Sequence, residues 1–547
     1  MKNIQGTTLF GHIVDVVTNR VFDGKIIVKE DKIVDIIAVE EPLKDVPYIL
    51  PGFIDSHIHI ESSMLLPHNF AEAVVKHGTI ACICDAHEIA NVLGRSGVEF
   101  MIEDGKQNNF YFFNGAPSCV PATGFETAGA ELNSKEVEEL LKNEDITHLS
   151  EMMNYPGVIF KDKEVVRKIE LAHKYNKPID GHAPMLKGED LKTYSSYNIS
   201  TDHECSSIEE AEEKLSYGIK IQMREGSAAK NFDTLLPLID KYSDKLMICS
   251  DDKHPDDLLH GHINQLIKKA IQKGYPFIDV LKLVSLNPIK HYNLPCGLLQ
   301  KGDNADFVLI NNLKDFDVLA TYIKGEKVYD SKECSKKNIQ QSIKDIEYNN
   351  FKAEKIDKKD IALEYKNGKI DVIECFDGNL FTKRIEIVPK VKDGYMVSDK
   401  DNDILKIVVL NRYHKAKPSV AFIKGIGLKE GAMCSTIAHD SHNIIAVGVE
   451  DEDIVEAINL VTEHKGGIAF VNKEDKDILP LPIAGLMSNK KIEQVAKDYD
   501  RINKKVKTYT NKLNAPYMTL SFMALLVIPE IKISDKGLFD ATRFSFI

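Results

Sequence analysis

His57 and His59 stand two residues apart at the end of the apolar run PGFIDSHIH. Side chains alternate along a β-strand, so this spacing turns both imidazoles to one face, roughly 6.5 Å apart at the backbone. Such a pair can share one metal ion, and a strand this apolar has no need of two histidines for solvation alone. Residues of the same chemical kind end later apolar runs: Glu151 in HLSE, His182 in PIDGH, His203 in ISTDH and Asp251 in MICSD. Four imidazoles and two carboxylates buried together are costly unless something neutralises the carboxylates and uses the lone pairs. Divalent cations do both. The ligand count suits two ions, with His57 and His59 on one, His182 and His203 on the other, Glu151 bridging them and Asp251 beside the activated water. Metal coordination brings the pKa of water from about 15.7 towards about 7, which supplies a hydroxide at neutral pH.

Residues this far apart in sequence meet only if their elements bring them to one place. From about residue 49 to 294, apolar strand-like runs alternate with amphipathic helical runs, the pattern of βα units and a parallel sheet. The runs are YILPGFIDSHIH, TIACICDAHE, FYFFNGAPS, HLSEMMN, PIDGHAP, ISTDHEC, IKIQMREGS and KLMICSDDKHP. Eight such units over a span of about 250 residues predict a closed (β/α)8 TIM-type barrel, whose strand ends converge on one mouth. An open doubly wound sheet is the alternative, but no GxGxxG turn follows the first strand. The flanking segments, 1–48 and 295–345, read as short β-runs such as KIIVKE and TYIKGEKVYD. They are expected to pair into one small β-sandwich domain, since their edges must be covered somewhere. After the lysine-rich stretch 335–344, residues 346–547 read as a C-terminal α/β domain with strands LKIVVLN, SVAFIKGIG and NIIAVGVE. In its long helix, Ile492, Val495, Ala496, Tyr499, Ile502, Val506 and Tyr509 keep helical spacing, which marks a packing stripe.

Composition narrows the function classes. The 547 residues carry a formal net charge of -13, which argues against a nucleic-acid partner because phosphate binding needs a concentrated basic face. A small neutral substrate fits better. The first twenty residues hold no uninterrupted apolar core, so neither a secretion signal nor a membrane anchor is expected, and the cytoplasm is the expected location. The nine cysteines form no CxxC motif or disulfide framework, and Cys82, Cys84 and Cys249 read as buried apolar residues. A homo-oligomer, dimer or tetramer, is the expectation for a soluble enzyme of this kind.

The segments PGFIDSHIHIESSM, CDAHEIANVLG, LSEMMNYPGV, GHAP, TDHE, MREGSAAKN and SDDKHP, in this order, closely resemble bacterial adenine deaminases of the amidohydrolase superfamily. GLKEGAMCSTIAHDSHNIIAVG resembles the C-terminal domain peculiar to that family, so the likeness covers most of the chain. Where many superfamily members bridge their metals with a modified lysine, this chain has Glu151, as adenine deaminases do. The resemblance implies hydrolysis of adenine to hypoxanthine and ammonia, a purine-salvage reaction, with manganese or ferrous iron. Imidazole and carboxylate ligands suit zinc as well.

On this reading Asp251 is the catalytic proton carrier, taking a proton from the nucleophile and giving it to the departing amino group. Protonation at N1 of the ring falls to Glu88, Glu204 or Glu225, all near predicted strand ends. His87 and Glu88 read equally as substrate groups, as outer partners of the metal ligands, or as a polar turn. Arg224 and Ser227 contact the base, or Arg224 pairs with a carboxylate as support. Asp55 and Asp252 orient the histidines or cap helices, and Lys253 and His254 read as loop residues. His439, Asp440 and His442 in AHDSHN form either a lid over the barrel mouth or a polar turn. Two rivals stand beside this reading: turnover of another aminated heterocycle or cyclic amide, such as guanine or a hydantoin, and a non-catalytic barrel scaffold. A scaffold is expected to lose metal ligands, and all six are present here.

Overall fold

The computed structural model describes residues 6–333, 348–377 and 379–547. Each of the eight apolar runs contributes one strand to the ring: Phe53–Ile58, Thr79–Cys84, Tyr111–Ala116, Ile146–Met152, Ile179–Gly181, Thr201–Asp202, Lys220–Arg224 and Leu246–Cys249. The first five pair as one parallel arc and the last three as another. Single bridges, Ile179 to Ile199 and Ile58 to Asp251, join the two arcs into a ring. Every residue of the first, second and eighth strands is buried, as expected of parallel strands covered on both faces.

Helices stand between strands where polar caps start them. Asn133 and Glu136 make a reciprocal capping box on Ser134–Leu141, Asp162 caps Lys163–Lys174 and Ser207 caps Ile208–Ser216. Helix Lys163–Lys174 buries Val165, Ile169 and Ala172, one stripe at helical spacing.

The run YILPGFIDSHIH divides where a single barrel strand was expected. Tyr48–Pro51 pairs with Thr7–Asp15 and Phe307–Ile310, outside the ring, and Phe53–Ile58 alone enters it. Gly52 makes the step possible, because a Cβ there would come within 2.4 Å of Ile80. The flanking segments form one seven-stranded sheet, in the order Glu326–Asp330, Val318–Ile323, Phe307–Ile310, Tyr48–Pro51, Thr7–Asp15, Arg20–Lys29 and Lys32–Ala38. Alternation splits its side chains between two cores. Ile13, Ile26, Val28, Ile33, Ile49 and Phe307 make a core of the sheet's own, while Val14, Leu50, Val308 and Ile310 pack with the barrel. The lysine-rich stretch 335–344 lies outside the described residues.

The C-terminal region centres on an eight-stranded, mostly antiparallel sheet that contains Ile404–Leu410, Ser419–Lys424 and Ile444–Gly448 at the three predicted places. Helix Ile492–Tyr509 buries Ile492, Val495, Ala496, Tyr499, Ile502 and Val506, while Tyr509 is half-buried. It lies against barrel helix Pro255–His260, and the rings of His254 and Tyr499 meet with centroids 4.9 Å apart. The stripe therefore fastens the C-terminal region to the barrel. The eight cysteines among the described residues are all buried and unbridged. Among the described residues no helix is long and apolar enough to cross a membrane.

Candidate functional site

The ring brings His57, His59, Glu151, His182, His203 and Asp251 together at one mouth, all buried. The amide of Asp251 donates to the carbonyl of His57 at 2.9 Å, so closure of the ring itself sets the eighth strand's carboxylate beside the first strand's imidazoles. His57 Nε2 lies 3.2 Å from His59 Nε2, and Asp251 Oδ1 lies 3.7 and 3.2 Å from these two nitrogens. Ligands about 2.1 Å from one ion stand roughly this far from one another. His59 Nδ1 sits 3.1 Å from the Asp85 carbonyl, which only accepts, so the ring proton belongs on Nδ1 and Nε2 is free to coordinate. Glu151 spans the two halves of the cage. Its Oε2 is 2.7 Å from His182 Nδ1 and 3.2 Å from His203 Nε2, and its Oε1 is 3.4 Å from His59 Nε2.

The charges in this cage call for cations. Burial opposes ionisation of Glu151, yet His182, His203 and His59 hold its pKa well below the usual carboxylate range. Burial also works against charge on His182, but Glu151 and Glu204 push it up to about 9. His59 is likewise driven well above the ordinary imidazole value, against burial, by Asp251 and Glu151. His57 moves the other way, lowered by burial and by His203. Divalent ions satisfy these carboxylates without protonating the imidazoles, so the donor set fits such ions.

Arg224 pairs with two carboxylates while also lining the cavity. Its Nη1 contacts Glu204 and lies 2.5 Å from Asp251 Oδ2, and its Nη2 lies 3.1 Å from Glu204 Oε2. Despite burial, this guanidinium holds the Asp251 carboxyl well below the usual range. Two other candidates are not brought to the site. Glu225 faces Lys269 and Lys230 at its strand end, and the Ser227 hydroxyl donates to Asp257 at 2.7 Å. Strand ends also carry residues that point outward to the surrounding helices, which is why proximity in sequence misleads for these two. Asp55 serves Ser250 and His262 rather than a ligand ring, with contacts of 2.5 and 2.9 Å. Asp252 accepts from Ser62 and lines the cavity.

A buried lysine fixes the loops behind His182 and His203. Lys214 Nζ reaches the Ala183 carbonyl at 2.7 Å, Glu210 at 2.9 Å and Asp202 at 3.0 Å, with no exposure of its side chain. Asp202 in turn accepts from the amides of Ala183 and Glu204. Lys214→Met is expected to destabilise the protein by about 3–5 kcal/mol, because it leaves Asp202 buried without its cation. A urea-denaturation midpoint equal to that of the native protein would refute this.

A narrow cavity opens above the cage. His87, Glu88, Glu204 and Arg224 line it from the barrel, and His439, Asp440, Leu380, Phe522 and Leu525 line it from the C-terminal region. The AHDSHN segment thus lies over the mouth. His439 Nδ1 stands 2.5 Å from Glu88 Oε1, and His442 Nε2 contacts Glu88 Oε2. Sequence reasoning missed Asp85, whose placement two residues before His87 carries the same strand-end signal as the others. It also missed Leu380, Phe522 and Leu525, which carry no signal that separates them from core.

Comparison with known proteins agrees with this architecture. Residues 48–328 match the amidohydrolase family, and residues 379–545 match the adenine deaminase C-terminal domain. The adenine deaminase of Methanosarcina mazei is 48% identical over 551 residues, covering 98% of each chain. That of Parabacteroides distasonis is 46% identical over 547 residues, covering 100% of this chain and 99% of its own. That of Borreliella burgdorferi is 46% identical over 542 residues, covering 98% of each. With likeness running through both the barrel and the C-terminal region, the chain belongs to the adenine deaminase family of amidohydrolases.

Proposed function

We propose that this chain hydrolyses adenine to hypoxanthine and ammonia, using two divalent ions held by His57, His59, Glu151, His182, His203 and Asp251. The observation that carries the reading is Glu151 standing between two pairs of histidines, in reach of both. The relatives' shared name supplies the substrate. Manganese or ferrous iron suits the mixed donor set, and zinc is the third choice. When bound, the ions supply Lewis acidity that brings the pKa of water towards about 7.

The chain's own groups account for the rest of the reaction. Water adds its oxygen to C6, the C6–N6 bond breaks, and ammonia leaves with a proton it did not have as an amino group. Asp251, kept ionised by Arg224, accepts the proton from water and delivers it to the departing nitrogen. Leu380, Phe522 and Leu525 give the cavity an apolar wall against which a flat ring can lie with water excluded. For protonation at N1, Glu88 and Glu204 line the cavity and Glu225 does not.

The test is a manganese-reconstituted assay that follows adenine absorbance and ammonia release, with guanine, cytosine and hydantoin as comparisons. Turnover of adenine is the expected result. Turnover of another ring in its place would overturn the substrate assignment, and inactivity on all four with two ions bound would favour the scaffold.

A further inference from the structure

We infer that Lys532 is a positioning residue for the purine ring: its amine gathers Leu380, Phe522 and Leu525 into one wall and so sets how firmly the cavity holds a flat base. The inference rests on the adenine reading above. The wall residues come from two distant parts of the chain, Leu380 from between strands Ile370–Glu374 and Lys383–Ile387, Phe522 and Leu525 from the stretch that follows helix Pro516–Ser521. They meet at one atom. Lys532 Nζ, on strand Ile531–Ser534, donates to the Leu380 carbonyl at 2.6 Å and to the Phe522 carbonyl at 3.0 Å. The Phe522 carbonyl also accepts the Leu525 amide at 3.2 Å, so all three wall residues are joined through their main chains to a single amine.

A lysine is a costly way to fill this space. Its side chain is fully buried, and its hydrogen-bond partners among the described residues are carbonyls rather than a carboxylate. Burial lowers the pKa of this amine to about 7. A methionine of similar length would occupy the same volume without desolvating a polar group. What it would lack is a pair of donors converging on two carbonyls that are otherwise in separate loops. Charged or neutral, the amine carries at least two N–H groups, so the hold survives loss of a proton.

The neighbouring contacts show which part the amine moves. The Thr382 hydroxyl donates to the Ile531 carbonyl at 2.8 Å and accepts from the Ile531 amide at 3.2 Å. The lysine's strand is thereby fixed to the segment that carries Leu380, and Nζ draws the Phe522 turn against both. Lys532 itself does not line the cavity. Removing its amine therefore loosens the hold on the ring and leaves the groups that activate water where they are, which is a change in binding shared by ground state and transition state.

The experiment measures kcat and KM for adenine, and inhibition by the product hypoxanthine, on manganese-loaded full chains, native and Lys532→Met. KM and the hypoxanthine inhibition constant are expected to rise together by about 10-fold, the scale of a small loss of apolar contact. Over the same comparison kcat should stay within about 3-fold of native and the manganese content should not change. An unaltered KM and inhibition constant in a variant that merely melts earlier would overturn the inference and leave Lys532 a structural residue. A fall in kcat together with metal loss would overturn it too, by placing the effect in the cage. Native protein that binds its metal yet leaves adenine untouched sinks the substrate reading and this inference with it, whereas native turnover with an unaltered variant sinks the inference alone. If Lys532→Met does not fold, Lys532→Gln, whose amide donors sit one atom closer to the backbone, carries the same expected split.

Discussion

Asp251→Asn is expected to lower kcat for adenine by about 10²–10⁴-fold while the protein keeps its metal. Asparagine preserves the shape of the side chain and an oxygen that can still face His57 and His59. What disappears is the capacity to accept a proton from water and return it to the amino nitrogen. Arg224, 2.5 Å away and itself held by Glu204, keeps Asp251 ionised at neutral pH, so its carboxylate carries no proton before the reaction begins. Rate and metal content must be measured on the same preparation. Should both fall in proportion, Asp251 acts as a metal ligand and nothing more.

Glu151→Ala reaches the opposite outcome, in which metal and activity vanish together. Glu151 lies within 3.4 Å of imidazoles from both halves of the cage, and removing it leaves His182 and His203 without the carboxylate nearest to them. A loss of at least about 100-fold in metal affinity is expected, since even outer partners of a ligand are worth 10–100-fold. Activity should fall below detection at low manganese and recover only in part at high manganese. Full metal content in this variant would remove Glu151 from the bridging position.

The sequence made the cage legible because the signal was distributed. His57 and His59 alone say little, but six ligand-type residues at the ends of six apolar runs become a site once those runs form a ring. Alternation gave the sheet faces, and helical spacing gave the Ile492–Val506 stripe, because both periods follow from backbone geometry. What stayed hidden follows from tertiary packing. Glu225 and Ser227 sit at a strand end yet face Lys269 and Asp257, since position along a strand does not say which way a loop side chain turns. Leu380, Phe522 and Leu525 read as ordinary core, and only the folded chain shows that they wall a cavity. Tyr48–Pro51 looked continuous with the first barrel strand because periodicity does not register the change of sheet at Gly52.

The ring is sealed by a single backbone bridge between Ile58 and Asp251, strand one to strand eight. On a ribosome adding 5–20 residues each second, roughly 10–40 s separates emergence of these two segments. Throughout that interval the first strand presents an open parallel edge, rich in Phe and Ile, to the crowded surroundings of the nascent chain. The half-made barrel is thus the stage at which chaperones have most to protect, and slowing translation between codons 58 and 246 should raise the aggregated fraction more than slowing it anywhere beyond.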